Sequence, residues 1–284
     1  MISFSSNQRI SPAQAIDSSS QASPVQAMDS PYSRKCLELG KLVFSSGLLQ
    51  TSWSKIQTHG NQVSGLEFKT YQEGIYTIVV FVAPSFPPLD SAASTLLFGR
   101  TDHYPFPFLC SEKNSSFCLH TPAYNLFVSA NKYKLTELRA ELLGLLESEK
   151  HVIITGAALG GSVASLFTLW LLGTIEPSFK RPFCITFGSP LLGDASLQQI
   201  LDNSLWNSCF LHVADAAQTP VNTDFQPFGT FFICVGSQCI CIDDPKTVME
   251  LLGSDNADAL VWRDYGEVLG RLVQPVVVDS RLVL

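Results

Sequence analysis

The chain has 284 residues and carries 18 Lys+Arg against 25 Asp+Glu, a formal net charge of −7. With 46% hydrophobic and only 15% charged residues it can bury a sizeable core, in one large domain or two small ones. It lacks the basic stripe that phosphate-driven nucleic-acid binding needs. Its longest apolar stretch, 163–172, is about half a membrane span and is interrupted by Ser165 and Thr168. The N-terminal MISFSSNQRISP has no apolar core of a secretory signal, so a soluble protein of the cytoplasm and nucleus is expected.

Residues 1–34 are rich in Ser, Gln, Ala and Pro, and SPAQAIDS (11–18) recurs as SPVQAMDS (23–30). Such a segment buries too little to offset its ordering entropy, which predicts a disordered tail. Residues 36–49 read as a helix, with Cys36, Leu39, Val43 and Leu48 apolar at helical spacing. The run IYTIVVFVA (75–83) has the continuous apolar character of a strand buried on both faces. Residues 84–120 read as a long irregular segment. An amphipathic helix over 135–149 leads into strand 151–155, a glycine turn and a helix over 161–172. Strand 183–187, helix 194–204 and strand 209–214 follow. Segments 230–234 and 238–242 flank Gly236-Ser237 as a hairpin, and helices near 245–252 and 258–272 close the chain. Buried strands alternating with helices predict an α/β fold with a mainly parallel sheet, helices on both faces, and one domain over 35–284.

The eight cysteines are too few for a disulfide scaffold. Cys239 and Cys241 share one strand face, and no zinc-ligand spacing lies nearby. Reduced, mostly buried thiols are expected, with no metal and no cofactor.

The most informative stretch is VIITGAALGGS (152–162), which runs strand, tight turn, helix. Gly156 and Gly161 have the spacing of a P-loop, but Ser162 follows Gly161 directly and the P-loop Lys is absent. A dinucleotide fingerprint would need glycine at Ala158. The third candidate is the nucleophile elbow G-x-S-x-G, in which flanking glycines keep side chains from colliding across a strained turn. Gly156 and Gly160 stand at its glycine positions, with Gly161 beyond, and the nucleophile position holds Ala158.

The runs VIITGAALGGSVASLFTLWLL, CITFGSPLLGD and PFGTFFIC…CICIDD, in that order, resemble the lipase-like domain of plant immune regulators. These are the enhanced-disease-susceptibility, phytoalexin-deficient and senescence-associated (carboxylesterase-like) proteins, and the likeness is greatest to the senescence-associated branch. The resemblance covers roughly 35–284 and implies an α/β-hydrolase fold of the class 3 lipase type. Members continue into a C-terminal helical-bundle domain, which this chain is expected to lack.

Ester hydrolysis on that fold needs a nucleophile, a base, an orienting acid and oxyanion donors. In the family the base precedes a Tyr in the last helical region; the matching dipeptide is Asp264-Tyr265. None of the histidines, 59, 103, 120, 151 and 212, lies beyond 212. For the acid position, counting back from PFGT (227–230) lands on Asp215 and counting forward from His212-Val213 lands nearer Gln218; both stay open. The oxyanion turn corresponds to Val82-Ala83-Pro84-Ser85, without glycine and with a proline that has no N–H. Ser162, Ser165 and Ser189 read as helix-packing or turn residues. The amides around 159–161 are an anion-binding alternative. Losing the nucleophile or the base costs on the order of 10⁶ in turnover in one serine hydrolase.

The resemblance therefore implies a degenerate lipase-like subunit in plant immune or senescence signalling. It would heterodimerise with an enhanced-disease-susceptibility-type partner that inserts an apolar helix into a groove. Transferred groove positions fall on Val43, Leu48 and Phe183. The alternative is an acyl hydrolase, or carboxylesterase, working through a non-standard site.

Overall fold

The segment YTIVVFV is apolar at every position but one, and in the computed structural model it forms a central strand, buried on both faces. The structure describes residues 31–59, 63–84, 95–99, 105–112, 114–216, 224–235, 238–253 and 264–271. In chain order the strands are β1 Glu67–Glu73, β2 Tyr76–Val82, β3 Thr95–Gly99, β4 Ser116–His120, β5 His151–Ala157, β6 Phe183–Phe187, β7 Phe210–Asp215, β8 Thr230–Val235 and β9 Gln238–Ile242. The helices are α1 Pro31–Ser45, α2 Leu48–Gln57, α3 Thr121–Ser129, α4 Lys132–Glu147, α5 Leu159–Leu172, α6 Ala195–Asn203, α7 Pro245–Leu252 and α8 Tyr265–Arg271.

Seven strands form one sheet in the order β1-β2-β5-β6-β7-β8-β9. The five central strands run parallel, and β1 and β9 lie antiparallel at the edges. Successive side chains of a strand face opposite sides, and the core divides accordingly. Val79 and Phe81 of β2 pack with the apolar residues of α3, α4 and α5. Ile78, Val80 and Val82 pack with those of α1, α2 and α8. A third cluster joins β8 and β9 to α7. Helix α5 is buried from Gly160 to Leu172, which explains why its sequence is apolar all round. Polar caps start the surface helices: Asn131, Asp194 and Asp244 accept hydrogen bonds from the N–H groups of Lys134, Leu197 and Thr247 at 3.2, 3.0 and 2.9 Å.

Several sequence expectations need correction. The single helix over 36–49 is two helices, broken at Gly47, whose φ of +69° suits glycine. Residues 84–120 are not wholly irregular: β3 and β4 pair antiparallel as a second small sheet, and β4 alternates half-buried and buried side chains. Strand β1 and helix α3 were not legible in the sequence. The polar β1 is held by a seven-residue register with β2 rather than by apolar patterning. Among the described residues the last helix spans Tyr265–Arg271 with Asp264 outside it, and 258–263 and 272 of the expected helix lie outside the described residues. Helix α1 begins at Pro31, ahead of the boundary drawn at residue 35, and the repeat in 1–30 lies outside the described residues. No helix among the described residues is long and apolar enough to cross a membrane.

Candidate functional site

Strand β5 enters α5 through one residue, Ala158, with φ +49° and ψ −128°. A side chain there is strained by about 1–3 kcal/mol, a cost that persists only where the surroundings over-determine the backbone. Here they do. The Ala158 N–H donates to the Phe187 carbonyl at 2.9 Å, and the Ala158 carbonyl accepts from Gly161 and Ser162 at 3.1 and 3.2 Å.

The three glycines are steric requirements of this turn. A Cβ on Gly156 would lie 2.5 Å from the Gly160 carbonyl oxygen. One on Gly160 would meet the Phe81 carbonyl oxygen at 2.6 Å, where the end of β2 passes the start of α5. One on Gly161 would lie 2.8 Å from the Gly156 carbonyl oxygen and collide with the Ser189 hydroxyl. Of the three glycine turns weighed on sequence, the geometry is that of the elbow, with a half-buried methyl group where a nucleophile would stand.

The other triad positions carry different roles. Asp264 stands just before α8, and its Oδ1 accepts from Trp53 Nε1 at 2.9 Å, Gln57 Nε2 at 2.9 Å and the Gly266 N–H at 2.8 Å. It caps α8 and ties it to α2. Trp53 and Tyr265 in turn pack on the Phe187 ring, with centroids 5.3 and 5.7 Å away. Asp264, which the resemblance sets at the base position, forms a structural clasp behind the strand whose last carbonyl holds Ala158. Asp215 closes β7, is 4% exposed and pairs in register with Cys234; Gln218 lies outside the described residues.

Four histidines are described, and each has a local structural setting. His59 Nε2 meets the Tyr71 hydroxyl at 2.9 Å. His151 begins β5, at the end opposite the elbow, with Lys180 Nζ 3.1 Å away. His120 precedes α3, and burial pushes its pKa down to about 4. His212 is enclosed by Phe210, Phe228 and Phe231. Its Nδ1 lies 2.8 Å from the Thr186 hydroxyl, and burial lowers its pKa to about 4. His103 lies outside the described residues.

The candidate serines spend their hydroxyls on backbone carbonyls: Ser162 donates to Pro190, Ser165 to Gly161 and Ser189 to Phe187, at 3.4, 3.2 and 3.5 Å. A cavity of about 10 Å³ is lined by Ser165, Ser189, Pro190 and His212 among others. It has the room of about one water molecule, far too little for an acyl chain. Of the oxyanion turn, Val82 is buried, Ala83 and Pro84 are half-buried, and Ser85 lies outside the described residues.

The groove positions converge on one side of the sheet, but not as an open groove. Val43 and Leu48 are core residues, 2% and 8% exposed, packed with Leu49, Trp53 and Ile56. Phe183 is partly buried against the same cluster. Among the α1 residues whose burial is described, Leu42 is an apolar side chain turned to solvent, 64% exposed, and the sequence reading did not single it out.

A mostly parallel sheet whose β5 passes through a strained elbow into a buried helix defines an α/β-hydrolase domain of the class 3 lipase type, here with alanine at the nucleophile position. Residues 101–218 match the family Lipase (class 3). It is 57% identical over 273 residues to Senescence-associated carboxylesterase 101 of Arabidopsis thaliana, a match covering 89% of this chain and 50% of that protein. To Lipase-like PAD4 of the same plant it is 39% identical over 125 residues, covering 43% of this chain and 22% of that one. The chain thus spans at most half the length of these relatives. A crystal structure of a fungal lipase shares the fold at 12% identity, with a TM-score of 0.51 over 72% of this chain and 76% of that one.

Proposed function

We propose that this chain is a catalytically degenerate lipase-like subunit. It acts in plant immune and senescence signalling, in the cytoplasm and nucleus, by pairing with an enhanced-disease-susceptibility-type lipase-like partner. The observation that carries the reading is Ala158: the elbow backbone is kept, strain included, while the atom that would attack an ester is gone. The clasp at Asp264 supports it, because a carboxylate holding three donors is committed to structure. The pairing itself rests on family resemblance.

A partner helix would meet the side of the sheet where α1 and Phe183 lie, with a few apolar anchors carrying most of the energy. Because Val43 and Leu48 are buried, the contact would use Leu42 and the open part of Phe183. Calorimetric titration with an enhanced-disease-susceptibility-type lipase-like domain tests this. One-to-one binding by the wild type, weakened at least about tenfold in Leu42→Asp and Phe183→Asp variants that remain folded by circular dichroism, is expected. No binding by the folded wild type would overturn the pairing. The carboxylesterase name of the 57% identical relative favours a second reading, carboxylic ester hydrolysis through non-standard residues, which a turnover assay separates from the first.

A further inference from the structure

Three buried cysteines gather at one end of the sheet, away from the elbow and unused by the proposed function. Strands β8 and β9 pair so that Cys234 stands directly opposite Cys239, while Cys241 stands opposite Phe232. All three belong to the core cluster on the side covered by α1 and α2, so their side chains share one face.

The type of strand pair decides what two opposed thiols can do. Antiparallel partners alternate between pairs that exchange backbone hydrogen bonds and pairs that do not. The N–H and C=O of one residue point to the same side of its strand. The Cys234 carbonyl accepts from the Ala216 N–H at 3.2 Å, on the β7 side. Its polar groups are therefore turned away from β9, and Cys234–Cys239 is a non-hydrogen-bonded pair. Such partners stand about 4.5 Å apart at Cα with their side chains closest, inside the roughly 4.4–6.8 Å that a disulfide bridges. Cys241 is diagonal to Cys234, at about 7–8 Å, outside that span. Metal binding is the competing use of clustered thiols, and no group of three or more His, Cys, Asp or Glu among the described residues is placed to hold an ion.

We propose that Cys234 and Cys239 form a redox pair that closes into a cross-strand disulfide, stapling the edge strand β9 to the sheet. Glutathione disulfide is the oxidant class that balances the step. One cysteine thiolate attacks it, forming a mixed disulfide and releasing a glutathione thiolate; the second cysteine then displaces the remaining glutathione. The two cysteine protons end on two glutathiones, and one S–S bond is reduced as the other forms. The Cys234 thiol beside Cys239, together with burial, raises the Cys239 pKa, so the closed pair reacts slowly and exchange follows opening of the strand end. That end is near solvent: Val235, next to Cys234, is 49% exposed. The staple would also be felt by α1, because Gly40 lies so close to Cys241 that a Cβ there would stand 2.8 Å from its Sγ.

The test equilibrates the full chain with glutathione buffers of increasing oxidised fraction, both natively and during refolding from urea, so that slow access cannot hide the product. Free thiols are then blocked at low pH and the digest is weighed. The wild type and Cys241→Ser should lose two titratable thiols and show the peptide holding residues 234 and 239 lighter by about 2 Da. Cys234→Ser and Cys239→Ser should not. A refolded wild type that keeps both thiols reduced in the most oxidising buffer, or a disulfide that maps to any other pair, overturns the proposal.

Discussion

Replacing Ala158 by glycine should stabilise this protein, which is unusual for an alanine-to-glycine change. At φ +49° and ψ −128° the Ala158 methyl is strained by about 1–3 kcal/mol, and glycine removes that cost. Glycine also loosens the unfolded chain, which returns about 0.4–1 kcal/mol. The net is a gain of about 1 kcal/mol, or a rise in Tm of roughly 2–4 °C for a domain of this size. The control is Ala164→Gly, at a fully buried site within α5, where the same change should cost about 1 kcal/mol. The assay is paired thermal and urea unfolding of the three proteins. Opposite signs are expected at the two positions. A loss of stability in Ala158→Gly equal to that in Ala164→Gly would show that the elbow is not strained and would remove the argument that its backbone outlived its chemistry.

Gly160→Ala should cost about 3 kcal/mol, the upper end of overpacking, because the added methyl meets the Phe81 carbonyl, which cannot rotate aside; urea unfolding measures it. Asp264→Ala should cost about 1–2 kcal/mol, as the loss of a helix cap does. Trp53 fluorescence should shift as its indole N–H loses the Oδ1 acceptor, and Asp264→Asn should retain most of both. The buried His120 and His212, pushed down from 6.5 to about 4, give a defined pH dependence. The unfolded chain takes up these protons below 6.5 and the folded chain refuses them until about 4. Stability is therefore fully present above pH 6.5 and is lost as pH falls toward 4, by on the order of 3 kcal/mol for each histidine. The urea midpoint should fall across that window, and His212→Gln should flatten part of the slope.

The central strands and the elbow were legible because their chemistry is local. The runs in β2, β5 and β6 are apolar at nearly every position, and the three elbow glycines lie within six residues of one another, so the motif reads locally even though Gly160 and Gly161 also answer to Phe81 and Ser189. Elements made by partners were not. Strand β1 exists through its register with β2, and the break at Gly47 divides a pattern that reads as one helix. The same limit applies to the site. Ala158 is visible in a motif, but the clasp from Asp264 to Trp53 joins residues 211 apart in the chain. Helical spacing shows that Val43 and Leu48 face something apolar; only the fold shows that this is the protein's own core.

Ester turnover is the measurement that bears most directly on the central claim. The wild type and Ala158→Ser would be assayed on short- and long-chain nitrophenyl esters, with the folded fraction checked in each sample. No turnover above buffer is expected in either, because restoring the hydroxyl at 158 does not supply a base while Asp264 holds its three donors. Turnover by the wild type that follows the folded fraction and disappears in Ser189→Ala or His212→Gln would contradict it, and would make this chain a hydrolase with a site of its own.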